Sequence, residues 1–205
     1  GMIALKFREI LENPKKTAAL ITPDRKLARR GSGFCKRWGI DVDDSAGMNL
    51  NHSQTGTFLL LICEACLKNL APSSFLSLVK HDLFASGMNR NLLLPIIHSI
   101  ESHLLRGLKP KGGFEGLYNR FRERKQDKKS QDPPEEILET LKIIEGHIEP
   151  FMTLICDPEP RPFKEILIAH IELSESLATT DKISGEDILW KDEAGETASV
   201  FFSEL

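Results

Sequence analysis

The run TAALITPDRKLARRGSGFCKRWGIDVDDSAG at Thr17–Gly47 constrains the fold more than any other part of the chain. Thr17–Ile21 is short, apolar and partly β-branched, the length of a buried strand and too short for a helix. Thr22-Pro23-Asp24 then opens a helix. It puts a hydroxyl at the N-cap, a proline at N1 where a missing N–H costs nothing, and a carboxylate at the positive end of the helix dipole. Gly39 closes the helix as a C′ residue, and Ile40–Asp44 returns as a strand. This is half of a βαβ unit. The expected fold class is α/β, predominantly α, with a small strand–helix–strand element attached to a larger helical bundle.

The remaining pattern is helical. Ile3, Phe7 and Leu11 recur at steps of four and predict a short amphipathic helix. Gly31-Ser32-Gly33 falls inside the next helix, where each glycine costs about 1 kcal/mol against alanine, so a weakened or broken helix is expected there. Phe58–Leu70 is apolar almost all round, which requires cover on most sides, with Ser53 or Thr55 as its cap. Met88–Leu108 predicts one longer helix, started or kinked at Pro95, and Lys109–Gly113 breaks it. Phe114–Phe121 predicts a short helix, and Arg120–Asp132 a flexible charged loop or a frayed helical end. Asp132–Glu136 starts a helix carrying Ile137, Leu141, Ile144 and Ile148 in register and bent near Pro150. Phe163–Ala178 is another helix, and Glu186–Leu205 a last helical stretch interrupted by Gly195. The expected domains are 1–50, a partial α/β element; 51–131, a helical region ending in the charged loop; and 132–205, an acidic helical region.

Charge is unevenly distributed. Residues 1–40 carry +7, residues 41–100 −2, residues 101–131 +5 and residues 132–205 −13. Two basic blocks suit a polyanion on one face and the acidic end suits a basic partner. Charged helices solvating their outer faces produce the same pattern and are its commoner origin. No stretch approaches eighteen uncharged apolar residues, so no membrane span is expected, and GMIALKFREI reads as a helix rather than a signal peptide. Four scattered cysteines in 205 residues form no disulfide framework, and the expected location is cytoplasmic.

No catalytic constellation is complete. Cys63-Glu64-Ala65-Cys66 has C-x-x-C spacing, but it lies within an apolar helix and has no second knuckle, so buried packing is the simpler role. His98, His103, His170 and His81 show no zinc-helix spacing and suit surface or packing roles. There is no P-loop and no G-x-S-x-G with its partners, and Pro23-Asp24 lacks the strand with Glu-x-Lys of a nuclease site. Asp41, Asp43 and Asp44 cluster at a strand end; a divalent-ion site there needs ligands from elsewhere, and a solvated turn is the simpler role. No cofactor or metal is expected.

TAALITPDRKLARR followed by KRWGIDVDDSAG resembles the AddB family of alphaproteobacterial type, the second subunit of the AddAB helicase–nuclease. The resemblance extends to TGTFLLLICEA, to LVKHDLFASG at Leu78–Gly87, and to ILWKDEAGETASVFFSEL at the end. It implies an internal fragment: part of a second RecA-like motor lobe and a helical insertion, with the nuclease and the first lobe outside this chain. It further implies a degenerate motor that holds and reads single-stranded DNA in double-strand-break repair, beside an AddA-like helicase–nuclease subunit. The family's iron–sulfur cysteines flank its nuclease domain, and none is carried onto this chain. The glycines at Gly31 and Gly33 depart from the more helix-favouring family pattern.

Physical chemistry adds candidate phosphate contacts. A helix opening at Thr22 leaves free backbone N–H groups at its N-terminus, and Arg25, Lys26, Arg29 and Arg30 extend positive charge along it. Thr22, Arg25, Arg29 and Arg30 are the expected single-stranded DNA contacts. Phe34 and Trp38 read as core residues, and the basic block Arg120–Lys129 is a second place for phosphate contact or a solvated loop. The alternative function is an interaction module that docks the partner subunit through the acidic C-terminal block and binds no nucleic acid. A third is a small enzyme using a metal at Asp41, Asp43 and Asp44 or a thiol at Cys63.

Overall fold

The computed structural model describes residues 1–45, 47, 49–107, 112–127 and 132–205. It divides into two compact units, Gly1–Met48 and Asn49–Leu205.

In the first unit, α1 (Met2–Leu11) packs on α2 (Arg25–Lys36). Gly39 ends α2 at φ +68°, with its own N–H bonded to Lys36 O and the Ile40 N–H reaching back to Cys35 O, the paired bonds of a Schellman end. The strand–helix–strand expectation is overturned: among the described residues there is no strand and no sheet. Residues 17–21 and 40–44 carry the composition of strands. Among the described residues, however, no backbone–backbone hydrogen bond begins or ends on residues 17–21 or 41–43. A strand exists only through a ladder with a neighbour, and composition cannot supply the neighbour. A RecA-like lobe is therefore not what this unit forms.

The glycine pair does not break α2, which runs without interruption through Gly31-Ser32-Gly33 to Lys36. Gly31 is buried, and a methyl group there would meet only Leu20 at an ordinary 3.7 Å. Around Gly33 nothing lies within 4 Å. The helix tolerates both glycines because α1 and the flanking segments hold it, and the cost stays at the level of propensity.

The second unit is a helical bundle around α3 (Gln54–Leu67), a helix that is apolar on nearly every side. Ser53 caps it, its hydroxyl accepting from Gly56 N at 3.0 Å, and Thr55 lies inside the helix with its hydroxyl donating to Leu189 O. Against α3 pack α4 (Pro72–Val79), α7 (Glu136–Cys156), α8 (Phe163–Ala178) and α10 (Glu193–Ser203). α5 (Arg90–Ile100) also packs on α7 and continues as a π-helical turn, Glu101–Leu105, which α6 (Gly113–Gln126) covers. α9 (Gly185–Leu189) packs on α8.

Phe58, Ile62, Phe75, Ile97, Ile144 and Leu177 are fully buried in one core. That core runs through residues on both sides of the charged stretch expected to divide 51–131 from 132–205. Two further details differ from the pattern-based expectation, and of the two forms expected for the charged run a helical end is the one found. The 88–108 helix is shorter and changes to π geometry after Ile100, with Leu108 outside the described residues. α6 continues to Gln126, so the charged run through Arg124 is helical; Lys128 and Lys129 lie outside the described residues. Gly195 sits buried within α10, and the interruption falls before it, between Leu189 and Glu193.

The glycines supply a contrast that a thermal melt can read. Gly33→Ala is expected to stabilise the first unit by about 0.5–1 kcal/mol, because it removes unfolded-state entropy at an open helical site. Gly185→Ala is expected to destabilise the second by about 1–3 kcal/mol, because its Cβ would collide with Glu175 O. Equal and small shifts in both melts would contradict the close approach of α8 and α9.

Candidate nucleic-acid interface

The four residues expected at phosphate have different fates. Helix α2 begins at Arg25, two residues later than a Thr22 cap requires, and Asp24 is the cap. One Asp24 carboxylate oxygen accepts from Lys26 N at 2.9 Å and from Leu27 N at 3.2 Å. Thr22 Oγ1 accepts from Asp24 N at 3.1 Å. The N–H groups expected to meet an external anion are thus satisfied by the protein's own carboxylate.

Arg25 is also engaged. Its two terminal nitrogens donate to Asp44 Oδ1 at 2.9 Å and Oδ2 at 3.0 Å, and one of them also donates to Gly47 O at 2.7 Å. This fork-on-fork pair ties Asp44, and the third bond Gly47, to the start of α2, and the Asp44 carboxylate raises the Arg25 pKa further above its already high ordinary value. Arg29 and Arg30, with Lys26, are exposed on α2 and form no ion pair among the described residues.

The Asp41, Asp43 and Asp44 cluster does not converge on an ion. Asp44 is committed to Arg25, and among the described residues no group of three or more His, Cys, Asp or Glu side chains is placed to hold a metal. Beside these residues a cleft of about 530 Å³ opens between the two helices and the two extended segments, lined by Phe7, Leu20, Cys35 and Val42.

Phe34 and Trp38, expected in the core, stand 37% and 42% exposed. The Arg37 guanidinium lies 5.7 Å from the Phe34 ring centroid, and that of Arg8, from α1, lies 4.9 Å from the Trp38 ring. Periodicity marked both aromatics as inward-facing. It could not show how far neighbouring segments cover them.

In the second unit, Cys63 and Cys66 are packing residues. Burial raises the Cys63 thiol pKa and pushes Cys66 up to about 12, the opposite of an activated nucleophile. Cys63 Sγ lies 3.3 Å from His170 Nε2, but that nitrogen is also 3.1 Å from Leu59 O. A carbonyl accepts only, so Nε2 carries the proton and donates to Leu59 and cannot serve Cys63 as a base. His170 stacks on Phe151, and burial holds its pKa below the ordinary 6.5. His81 stacks on Phe58 and is lowered for the same reason.

The basic residues of α6 have partners within the protein. Arg120 pairs with Glu123, Arg122 donates to Asn119, Arg124 donates to His103 O, and Lys125 pairs with Glu135. Tyr118 donates to Glu145 at 2.5 Å, and burial together with that carboxylate raises its pKa.

Compared with protein-family models, with curated proteins and with solved structures, the chain finds no match.

Buried His170 and half-buried His81 and His147 make stability depend on pH. Their pKa values are lower in the folded chain, so as pH falls the unfolded chain takes up protons first. Their stabilisation is complete above about pH 6.5 and is lost as pH drops below it. The melting temperature of the second unit is expected to fall between pH 7 and pH 5. His170→Gln keeps a donor for Leu59 O and cannot titrate there, so it should flatten that decline; a slope identical to the parent's would refute the assignment.

Proposed function

We propose that the chain is a non-catalytic part of an AddB-like double-strand-break repair subunit, acting as a scaffold that contacts single-stranded DNA. The observation supporting the DNA contact is the solvent-facing set Lys26, Arg29 and Arg30 on α2, without ion-pair partners among the described residues and within a stretch, residues 1–40, of net charge +7. Exposed cations with no partner among the described residues give up no protein contact in meeting phosphate, whereas Arg25 would have to abandon Asp44 and Gly47. Phosphate contact is therefore assigned to Arg29 and Arg30, with Lys26 beside them. Thr22 and Arg25 take the supporting role of holding the start of α2 and the 40–47 segment.

The test is affinity for a fluorescent single-stranded oligonucleotide across a salt series. Affinity is expected to fall with salt at a slope of about −0.7 per phosphate contact. Arg29→Glu/Arg30→Glu should flatten the slope by about 1.4 and weaken binding at low salt, leaving the melt unchanged. Arg25→Glu is the wrong probe, because it sets two carboxylates against each other and opens the segment. Unchanged affinity in the Arg29/Arg30 variant would end the assignment.

A second reading has its own observation. Val200, Phe201 and Leu205 stand 50% or more exposed at the end of α10, whose first turn carries Glu193 and Glu196. An apolar patch beside an acidic turn suits docking to a basic partner protein, here an AddA-like helicase–nuclease subunit. Glu193→Lys/Glu196→Lys should then weaken subunit assembly while leaving oligonucleotide affinity intact. Assembly at the parent's affinity would remove this reading.

A further inference from the structure

We infer that Trp38 and Phe34, with Arg8 and Arg37, form a stacking platform for unpaired nucleobases; this rests on the single-stranded DNA reading and specifies how that site takes its ligand. Each aromatic ring has a guanidinium over it, at 4.9 Å for Arg8 on Trp38 and 5.7 Å for Arg37 on Phe34, and each keeps more than a third of its surface in solvent. Each ring is thus covered in part by a guanidinium and in part open to a ligand. The chemistry around these two rings selects the ligand.

The rings lie four residues apart, across the last turn of α2 and the Schellman end that follows, on the helix that also carries the free cations Lys26, Arg29 and Arg30. Gly39 and its two reverse bonds fix where the Trp38 backbone leaves the helix. A partner protein needs only the apolar faces. A partly open aromatic ring with a guanidinium over it, within a strongly positive stretch, matches a ligand that offers flat π-surfaces and anions in alternation. A single nucleic-acid strand has that composition, with every base presenting a π-face and every linkage a charge. A duplex does not, because its bases are already stacked on one another. The platform is accordingly specific for unpaired strands and indifferent to sequence.

The experiment uses the full chain, a twelve-residue oligothymidylate and an abasic oligonucleotide of equal length, with tryptophan emission as the second readout. Trp190 is half-buried and donates to Glu175 at 2.7 Å, so it supplies a constant background. Oligothymidylate should quench wild-type emission. Trp38→Phe should abolish the quenching and keep affinity within about threefold, whereas Trp38→Leu should weaken binding about tenfold or more. The abasic strand should bind the wild type and the Leu variant alike. If the wild type binds both strands equally without quenching, the platform is wrong and phosphate contact by Arg29 and Arg30 stands. If neither strand binds at low salt, the single-stranded DNA reading fails, and the platform fails with it.

Discussion

The burial of α3 is the constraint on which the second unit depends. A helix with Phe58, Ile62 and Ala65 fully buried has little polar surface to turn outward, so it is stable only when covered from several directions. Each large side chain removed from water contributes about 1.5–3 kcal/mol, which outweighs the cost of ordering the helices that provide the cover. α4, α7, α8 and α10 are arranged as they are because each brings an apolar stripe to this axis. The polar groups caught in the crowd are satisfied locally: Thr55 by Leu189 O, Ser174 by His170 O, and His170 by Leu59 O. That accounting also disposes of the cysteine–histidine proximity as chemistry. A histidine whose proton is committed to a carbonyl positions helices and does not activate a thiol.

The first unit works under the opposite condition. It has few residues to bury, with Ala4, Gly31 and Cys35 its fully covered positions, and it leaves Ile21, Trp38 and Val42 open to solvent. Polar geometry does here what a core does elsewhere. The Asp24 cap, the Schellman bonds at Gly39 and the Arg25–Asp44 fork define where α2 begins, where it ends and how the following segment returns. An exposed ion pair by itself contributes little, but a bidentate pair with a third bond to Gly47 O has the geometry that makes such a contact count.

The same bonds sort the basic residues by role. Positive charge along α2 is continuous in sequence, yet Arg25 is consumed in holding the unit and Arg29 and Arg30 are left free. On α6 the division falls the other way, with Arg120, Arg122, Arg124 and Lys125 each occupied by a neighbour. Net charge describes the field a polyanion would feel at a distance. The hydrogen-bond partners decide which cations remain to meet it at contact.

Periodicity determined the helices by itself, since the spacing of Ile137, Leu141, Ile144 and Ile148 admits no other regular structure, and Gly39 marked the end of α2 because a left-handed residue is needed there. The strand-like composition of residues 17–21 and 40–44 was equally legible. Their failure to be strands was not, because a ladder depends on a partner and local composition carries no record of one. The positive character of α2 was plain from its residues, while the choice of Asp24 over Thr22 as cap and the capture of Arg25 by Asp44, nineteen residues away, were decided by tertiary structure. So was the exposure of Phe34 and Trp38: an apolar residue becomes core only when enough chain folds over it, and that is a property of the whole unit, not of the residue.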